Sequence, residues 1–179
     1  RRFETDGLWV AALNAPSLCV LAGTEAAVAA VERSLEHEGI LSQRLQTSHA
    51  FHSGLMDGAF AALVEGARRL HPGSVRVPYI SNVTGTWVTD AALQDPRYWG
   101  RQMREPVRFS QGITELLRDE QRIFLEVGPG QALGTLVRRH LSRPGAREVL
   151  STLRHPGAEG ADELSTLSAL GRAWISGAR

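Results

Sequence analysis

Phe124-Leu125-Glu126-Val127-Gly128-Pro129-Gly130 is a short apolar run that breaks into a glycine-proline turn, and Leu133, Leu136, Val137 and Leu141 follow it at helical spacing. A strand from Arg122 to Val127 running at once into a helix is a β-turn-α step, the unit from which α/β layers are built. The turn carries two readings. Backbone amides at a helix N-terminus attract anions, so the loop could cradle a phosphate. The pattern is too short for G-x-G-x-x-G, and no P-loop lysine accompanies it, so the simpler reading is a tight turn in which glycine lets strand and helix pack closely.

Working outward, residues 8–13 and 18–22 are apolar runs separated by Asn14-Ala15-Pro16-Ser17, which predicts two strands with a tight connection. Thr24 as N-cap, the stripe Val28, Val31 and Leu35, and Gly39 as stop predict a helix. Ile40 to Thr47 reads as another strand, and the resulting β-β-α-β order fits the latter part of a ferredoxin-like split βαβ layer. A second helix is expected from Ser53, with Met56, Phe60, Leu63, Val64, Ala67 and Leu70 on one face, closed by Pro72-Gly73. Val75 to Val83 reads as a strand and Thr84-Gly85-Thr86 as a turn. Asp95-Pro96 opens a short helix that Pro106 ends, and Ile113, Leu116 and Leu117 mark one more. Val149 to Leu153 is a last strand, and Leu164, Leu167, Leu170 and Trp174 predict a terminal helix after a loop. The fold class is α/β.

Composition narrows the chemistry. The 179 residues are 42% hydrophobic and 22% charged, an ordinary globular balance. Every one of the 20 basic residues is arginine, which excludes a Schiff-base lysine and a P-loop lysine within this sequence. Net charge is +1, with arginines scattered among acids, so nucleic acid is not an expected partner. Cys19, the single cysteine, sits in an apolar run and reads as a small core residue in a reducing compartment, and a disulfide framework is excluded. No window approaches the roughly 18 apolar residues of a membrane span, and Arg1-Arg2-Phe3-Glu4-Thr5-Asp6 has no apolar signal core, so no membrane partner and a cytoplasmic setting are expected. The absence of an initiator methionine reads as a piece of a longer polypeptide.

The candidate site is Ser48-His49-Ala50-Phe51-His52-Ser53, at the junction of a strand-like and a helix-like run. His49 and His52 are three apart and would share a helix face, but no third ligand or H-E-x-x-H glutamate accompanies them, and no metal is expected. A structural reading has His52 and Ser53 capping the next helix with His49 on the surface. A chemical reading makes a histidine the general base, which requires an acceptor on its other ring nitrogen to set the tautomer. A serine nucleophile on a G-x-S-x-G elbow is absent from these residues.

Five stretches in order, Ala12-Leu13-Asn14-Ala15-Pro16, Thr47-Ser48-His49-Ala50-Phe51-His52-Ser53, Tyr79-Ile80-Ser81-Asn82-Val83-Thr84-Gly85, Tyr98-Trp99 with Glu105-Pro106-Val107-Arg108-Phe109, and Phe124 to Gly130, resemble the C-terminal portion of a type I polyketide synthase acyltransferase domain, related to malonyl-CoA:acyl carrier protein transacylases. The resemblance implies a ferredoxin-like small subdomain (partial) over 1–50, the C-terminal part of an α/β-hydrolase-like acyltransferase subdomain over 51–153, and a linker over 154–179. It implies transfer of an acyl group from coenzyme A to a serine and on to the phosphopantetheine thiol of an acyl carrier protein, with His52 as general base. The backbone carbonyl of Gln102 would orient His52, His49 and Phe51 would shape the acyl pocket, and Asn14 would approach the pantetheine arm. His-Ala-Phe-His is similar to the tetrapeptide of malonyl-selective members, and Phe51 would crowd the α-carbon of methylmalonyl by about 1–3 kcal/mol. No cofactor is expected to be bound by the chain itself. Malonyl-CoA and carrier-protein phosphopantetheine would be substrates, and the expected partners are the N-terminal remainder of the acyltransferase, the carrier protein and neighbouring synthase domains. The serine motif, an oxyanion-hole glutamine and a carboxylate-binding arginine of such enzymes have no counterpart here. The alternative is therefore a noncatalytic scaffold or docking piece.

Overall fold

The computed structural model describes residues 7–155 and 157–178. They form a mixed α/β structure in two compact units, one ending at Gly112 and the other beginning at Ile113.

In the first unit, β1 (Leu8–Ala15) pairs antiparallel with β2 (Leu18–Gly23), so Pro16-Ser17 is the connection. The register slips between Val10 and Ala12 and again between Leu13 and Ala15, which leaves Asn14 at an irregularity. Thr24 caps α1 (Glu25–His37) by accepting from the Ala27 N–H at 3.3 Å, and Gly39, at φ +68°, turns the chain away. The stripe of Val28, Val31 and Leu35 is only half-buried.

Three expectations fail here for physical reasons. Residues 40–47 form no strand: Leu41 is fully exposed, and Arg44 reaches back to Glu32 on α1 rather than lying beside another strand. The expected β-β-α-β order is therefore observed only as β-β-α. Val75 to Val83 also forms no strand, since Pro78 interrupts the run, and pairing is confined to the bridge Ile80↔Trp87 around a turn at Gly85. Cys19 lies at the exposed start of β2 rather than in the core.

A 3₁₀ turn (Gly54–Met56) leads into α2 (Asp57–Ala67). Beyond the turn at Gly85 come α3 (Asp90–Gln94), capped by Thr89, and α4 (Pro96–Arg104). Asp95 caps α4 with Pro96 in its first turn, as the sequence predicts, and Glu105-Pro106 stops it. Gly100 brings α4 onto α2, where a Cβ would come within 2.9 Å of Phe60 and Val64. Val83, Leu93 and Tyr98 form a buried cluster, and Tyr98 donates its hydroxyl to the buried Ser81 Oγ at 2.9 Å. α5 (Phe109–Leu116) leads out of this unit.

In the second unit, β3 (Phe124–Glu126), α6 (Ala132–Arg138) and β4 (Val149–Ser151) make a βαβ step, with Leu125 opposite Leu150 in a parallel pair. Glu126 caps α6, accepting from the N–H groups of Leu133 at 3.0 Å and Gly134 at 2.8 Å. The helix N-terminus thus holds the chain's own carboxylate, which favours the tight-turn reading of Gly128-Pro129-Gly130 over the phosphate cradle. The terminal helix α7 (Asp162–Ile175) falls in the stretch expected as a linker, yet it is tied to this unit by Thr166 to the Thr152 carbonyl and by Arg172 to Glu148. No helix of the described residues is long and apolar enough to cross a membrane.

Candidate active site

The site is built where α4 ends against the turn that precedes α2. Glu105, one residue before a proline, is pushed out of helical geometry to φ −85°, ψ 157°. Its N–H still reaches the Arg101 carbonyl at 2.7 Å, while its own carbonyl is turned off the helix axis. The following residue but one, Val107, is stitched to β1 through its N–H to Ala11 at 2.9 Å and its carbonyl from Leu13 at 2.8 Å. The Glu105 carbonyl is thus fixed from both sides.

That carbonyl receives His52 Nδ1 at 3.0 Å. A carbonyl only accepts, so Nδ1 carries the proton in the neutral ring and Nε2 keeps its lone pair. No described residue bonds Nε2, and the ring is half-buried. The acceptor is therefore Glu105, and the expectation for Gln102 is corrected. Gln102 lies one turn back inside α4, and the carbonyls that meet His52 are those at the very end of the helix, Met103 on the backbone N–H and Glu105 on the ring. The His52 N–H is held separately by the Met103 carbonyl at 3.0 Å.

His52 has φ +60°, the one positive φ at a non-glycine residue among those described. Such a conformation costs about 1–3 kcal/mol and persists only where surrounding contacts impose it. Ser53, fully buried, does the capping: its Oγ accepts from the Leu55 N–H at 3.2 Å and donates to the Ala50 carbonyl at 2.6 Å. The two members of the expected cap therefore separate, Ser53 being structural and His52 presented by its strained backbone.

His49 is exposed, with Nδ1 at 3.0 Å from Ser48 Oγ, and its ring lies 5.8 Å from that of Phe51 at 50°. Phe51 is 47% exposed, an apolar ring left facing outward next to the imidazole of His52 in sequence. Asn14 is half-buried on β1 and makes no hydrogen bond to His52. Its neighbour Leu13 is the one bonded to Val107. Among the described residues, no group of three or more His, Cys, Asp or Glu is placed to hold a metal.

A family model for the acyl transferase domain matches residues 1–178. The chain belongs to that family. It is 34% identical over 168 residues to a phenolphthiocerol/phthiocerol polyketide synthase protein of Mycobacterium tuberculosis, covering 94% of this chain and 11% of that protein. The crystal structure of the acyl transferase domain of SpnD, in complex with 2-(pent-4-yn-1-yl)malonyl, superposes with a TM-score of 0.93 at 36% identity, covering 99% of this chain and 43% of that one. At 23% identity and a TM-score of 0.73, the MCAT of Streptococcus pneumoniae shares the fold over 92% of this chain and 50% of its own. The chain is thus an acyltransferase-domain sequence of the type I polyketide synthase kind, spanning less than half of the solved SpnD chain.

Within this acyltransferase piece, sequence reasoning missed Glu105, Met103 and Arg101. Arg101 grips the Glu105 carboxylate through Nε at 2.6 Å and a second nitrogen at 3.2 Å, and this hydrogen bonding raises the guanidinium further above its already high range. The signal for Glu105 was available: a residue before proline at a helix end is the one whose carbonyl leaves the ladder.

Proposed function

We propose that this chain supplies the general base of an acyltransferase that takes malonyl from coenzyme A onto a serine and passes it to the phosphopantetheine thiol of an acyl carrier protein during cytoplasmic polyketide assembly. The observation that carries the reading is the bond from His52 Nδ1 to the Glu105 carbonyl, which leaves Nε2 as the basic nitrogen. In such a step Nε2 takes the serine proton as the hydroxyl attacks the thioester, and the imidazolium returns it to the departing thiolate. A carbonyl orients the ring as an aspartate would, without adding a full negative charge.

No G-x-S-x-G stands in these residues, so the nucleophile is contributed by acyltransferase sequence outside them. The β1-β2-α1 segment and the β3-α6-β4 step are read as pieces of a ferredoxin-like and an α/β-hydrolase-like subdomain, completed by that same remainder. His49 and Phe51, in contact with each other, are read as one wall of the acyl pocket, and Asn14 as a contact to the pantetheine arm. The carrier protein and neighbouring synthase domains are the partners this reading requires.

The test is loading of radiolabelled malonyl-CoA by the intact acyltransferase and by His52→Ala. Acylation by the variant should be slower by about 100- to 10,000-fold. Loading at the parent rate would remove His52 from the mechanism.

A further inference from the structure

Residues 103–105 hold the segment from His52 to Asp57 at three successive points. The Met103 carbonyl takes the His52 N–H, and the Glu105 carbonyl takes its Nδ1, each at 3.0 Å. Between them, the Arg104 guanidinium pairs through Nε with the carboxylate of Asp57, the first residue of α2. The first two bonds end on His52 itself, whereas the third fixes where the helix after it begins.

Arg104 is not a loose surface cation. Its side chain is 28% exposed, and the guanidinium lies 6.0 Å from the centroid of the Trp9 ring on β1. The same indole limits the other end of the segment, because a Cβ on Gly54 would fall 2.4 Å from Trp9 Cζ2. Trp9 therefore abuts both the turn that follows His52 and the cation that anchors α2.

His52 needs such anchoring more than any other described side-chain-bearing residue, since its φ of +60° is not self-supporting. If α2 slid relative to the end of α4, the backbone at residue 52 would relax toward an ordinary region and swing the imidazole away from the Glu105 carbonyl. We infer that Arg104 and Asp57 are positioning residues, an ion pair seated on Trp9 that keeps His52 in its left-handed conformation and its Nδ1 on Glu105. The inference rests on the reading of His52 as the base. A partly exposed ion pair contributes little to global stability, so the pair acts chiefly on geometry.

The experiment compares Arg104→Met, Asp57→Asn and the double variant in the intact acyltransferase, with Arg118→Met as a control on a surface pair with Glu115. Each single variant should lower kcat for acylation from malonyl-CoA by about 10- to 100-fold with KM nearly unchanged, because a displaced catalytic group loses rate rather than binding. The double variant should be no slower than the slower single one, since both remove the same interaction. In spectra of histidine-labelled protein, the Nδ1–H resonance of His52 should be present in the parent and lost to exchange in the single variants. An unchanged kcat, losses that multiply in the double variant, or a loss that only tracks melting temperature would overturn the inference. If the parent enzyme loads no malonyl, the functional reading fails by itself. The Nδ1–H resonance then decides the ion pair's role, and its persistence in Arg104→Met would refute it.

Discussion

Two turns in this molecule lead toward helices, and they solve the same backbone problem in opposite ways. At Gly128-Pro129-Gly130 the glycines take φ +148° and +90°, values that side chains resist, and Glu126 from β3 fills the amides of α6. At Phe51-His52-Ser53 a histidine takes φ +60°, and distant residues have to hold it there. The first turn is relaxed and its anion position is occupied internally, so nothing about it asks for a ligand. The second is strained, and its strain presents an imidazole with one nitrogen tied and the other bonded by no described residue. Strain maintained by tertiary contacts, rather than the mere presence of a strand-to-helix turn, is what separates a candidate site from scaffolding.

Beyond the loss of acylation in His52→Ala, the largest effect is expected at the support of the strained turn. Gly54→Ala drives a methyl into Trp9 and should destabilise the protein by about 1–3 kcal/mol. Combining it with Trp9→Leu should recover part of that loss in denaturant titration, and full additivity would show that the clash is not the cause. Next, Phe51→Ser should relax selection against methylmalonyl-CoA by about 1–3 kcal/mol in the ratio of kcat/KM values. An unchanged ratio would take Phe51 out of the acyl pocket.

The comparison of turns is sharpened by placing glycine where histidine is strained. His52→Gly should be more stable than His52→Ala by about 1–2 kcal/mol, although both lack the imidazole, because only glycine is at ease in the left-handed region. Equal melting temperatures would mean that the turn has relaxed in both. On the glycine turn, Glu126→Ala leaves the Leu133 and Gly134 amides without their acceptor and should cost about 1 kcal/mol. Its folded fraction should acylate at the parent rate, whereas a collapse of kcat would put this turn in the site after all.

Legibility in the sequence followed the range of the interactions. Thr24, Asp95-Pro96 and Gly128-Pro129-Gly130 announced their caps and turns, because capping and φ preference act within about one helical turn. Even α3, which was missed, carried its own signal in Thr89 and Asp90. Apolar runs were less faithful. Ile40 to Thr47 and Val75 to Val83 have strand-like composition, yet strand formation needs a partner edge, and the described residues place none beside them. Cys19 was misplaced for a related reason, since an apolar run does not say which end of a hairpin strand will be covered, and Leu18 and Cys19 are both exposed at the start of β2.

The sequence by itself determined the histidine tetrapeptide, the family, the β-turn-α step and the absence of lysine from these residues, all of which depend on residue identity and order. Only the tertiary structure decided that Glu105 rather than Gln102 holds the ring and that Ser53 rather than His52 caps the following turn. It also showed that Asp57 reaches Arg104 across 47 positions of chain. Those choices depend on where the end of α4 falls against the start of α2, and that is set by β1, Trp9 and the close approach at Gly100 rather than by any local preference.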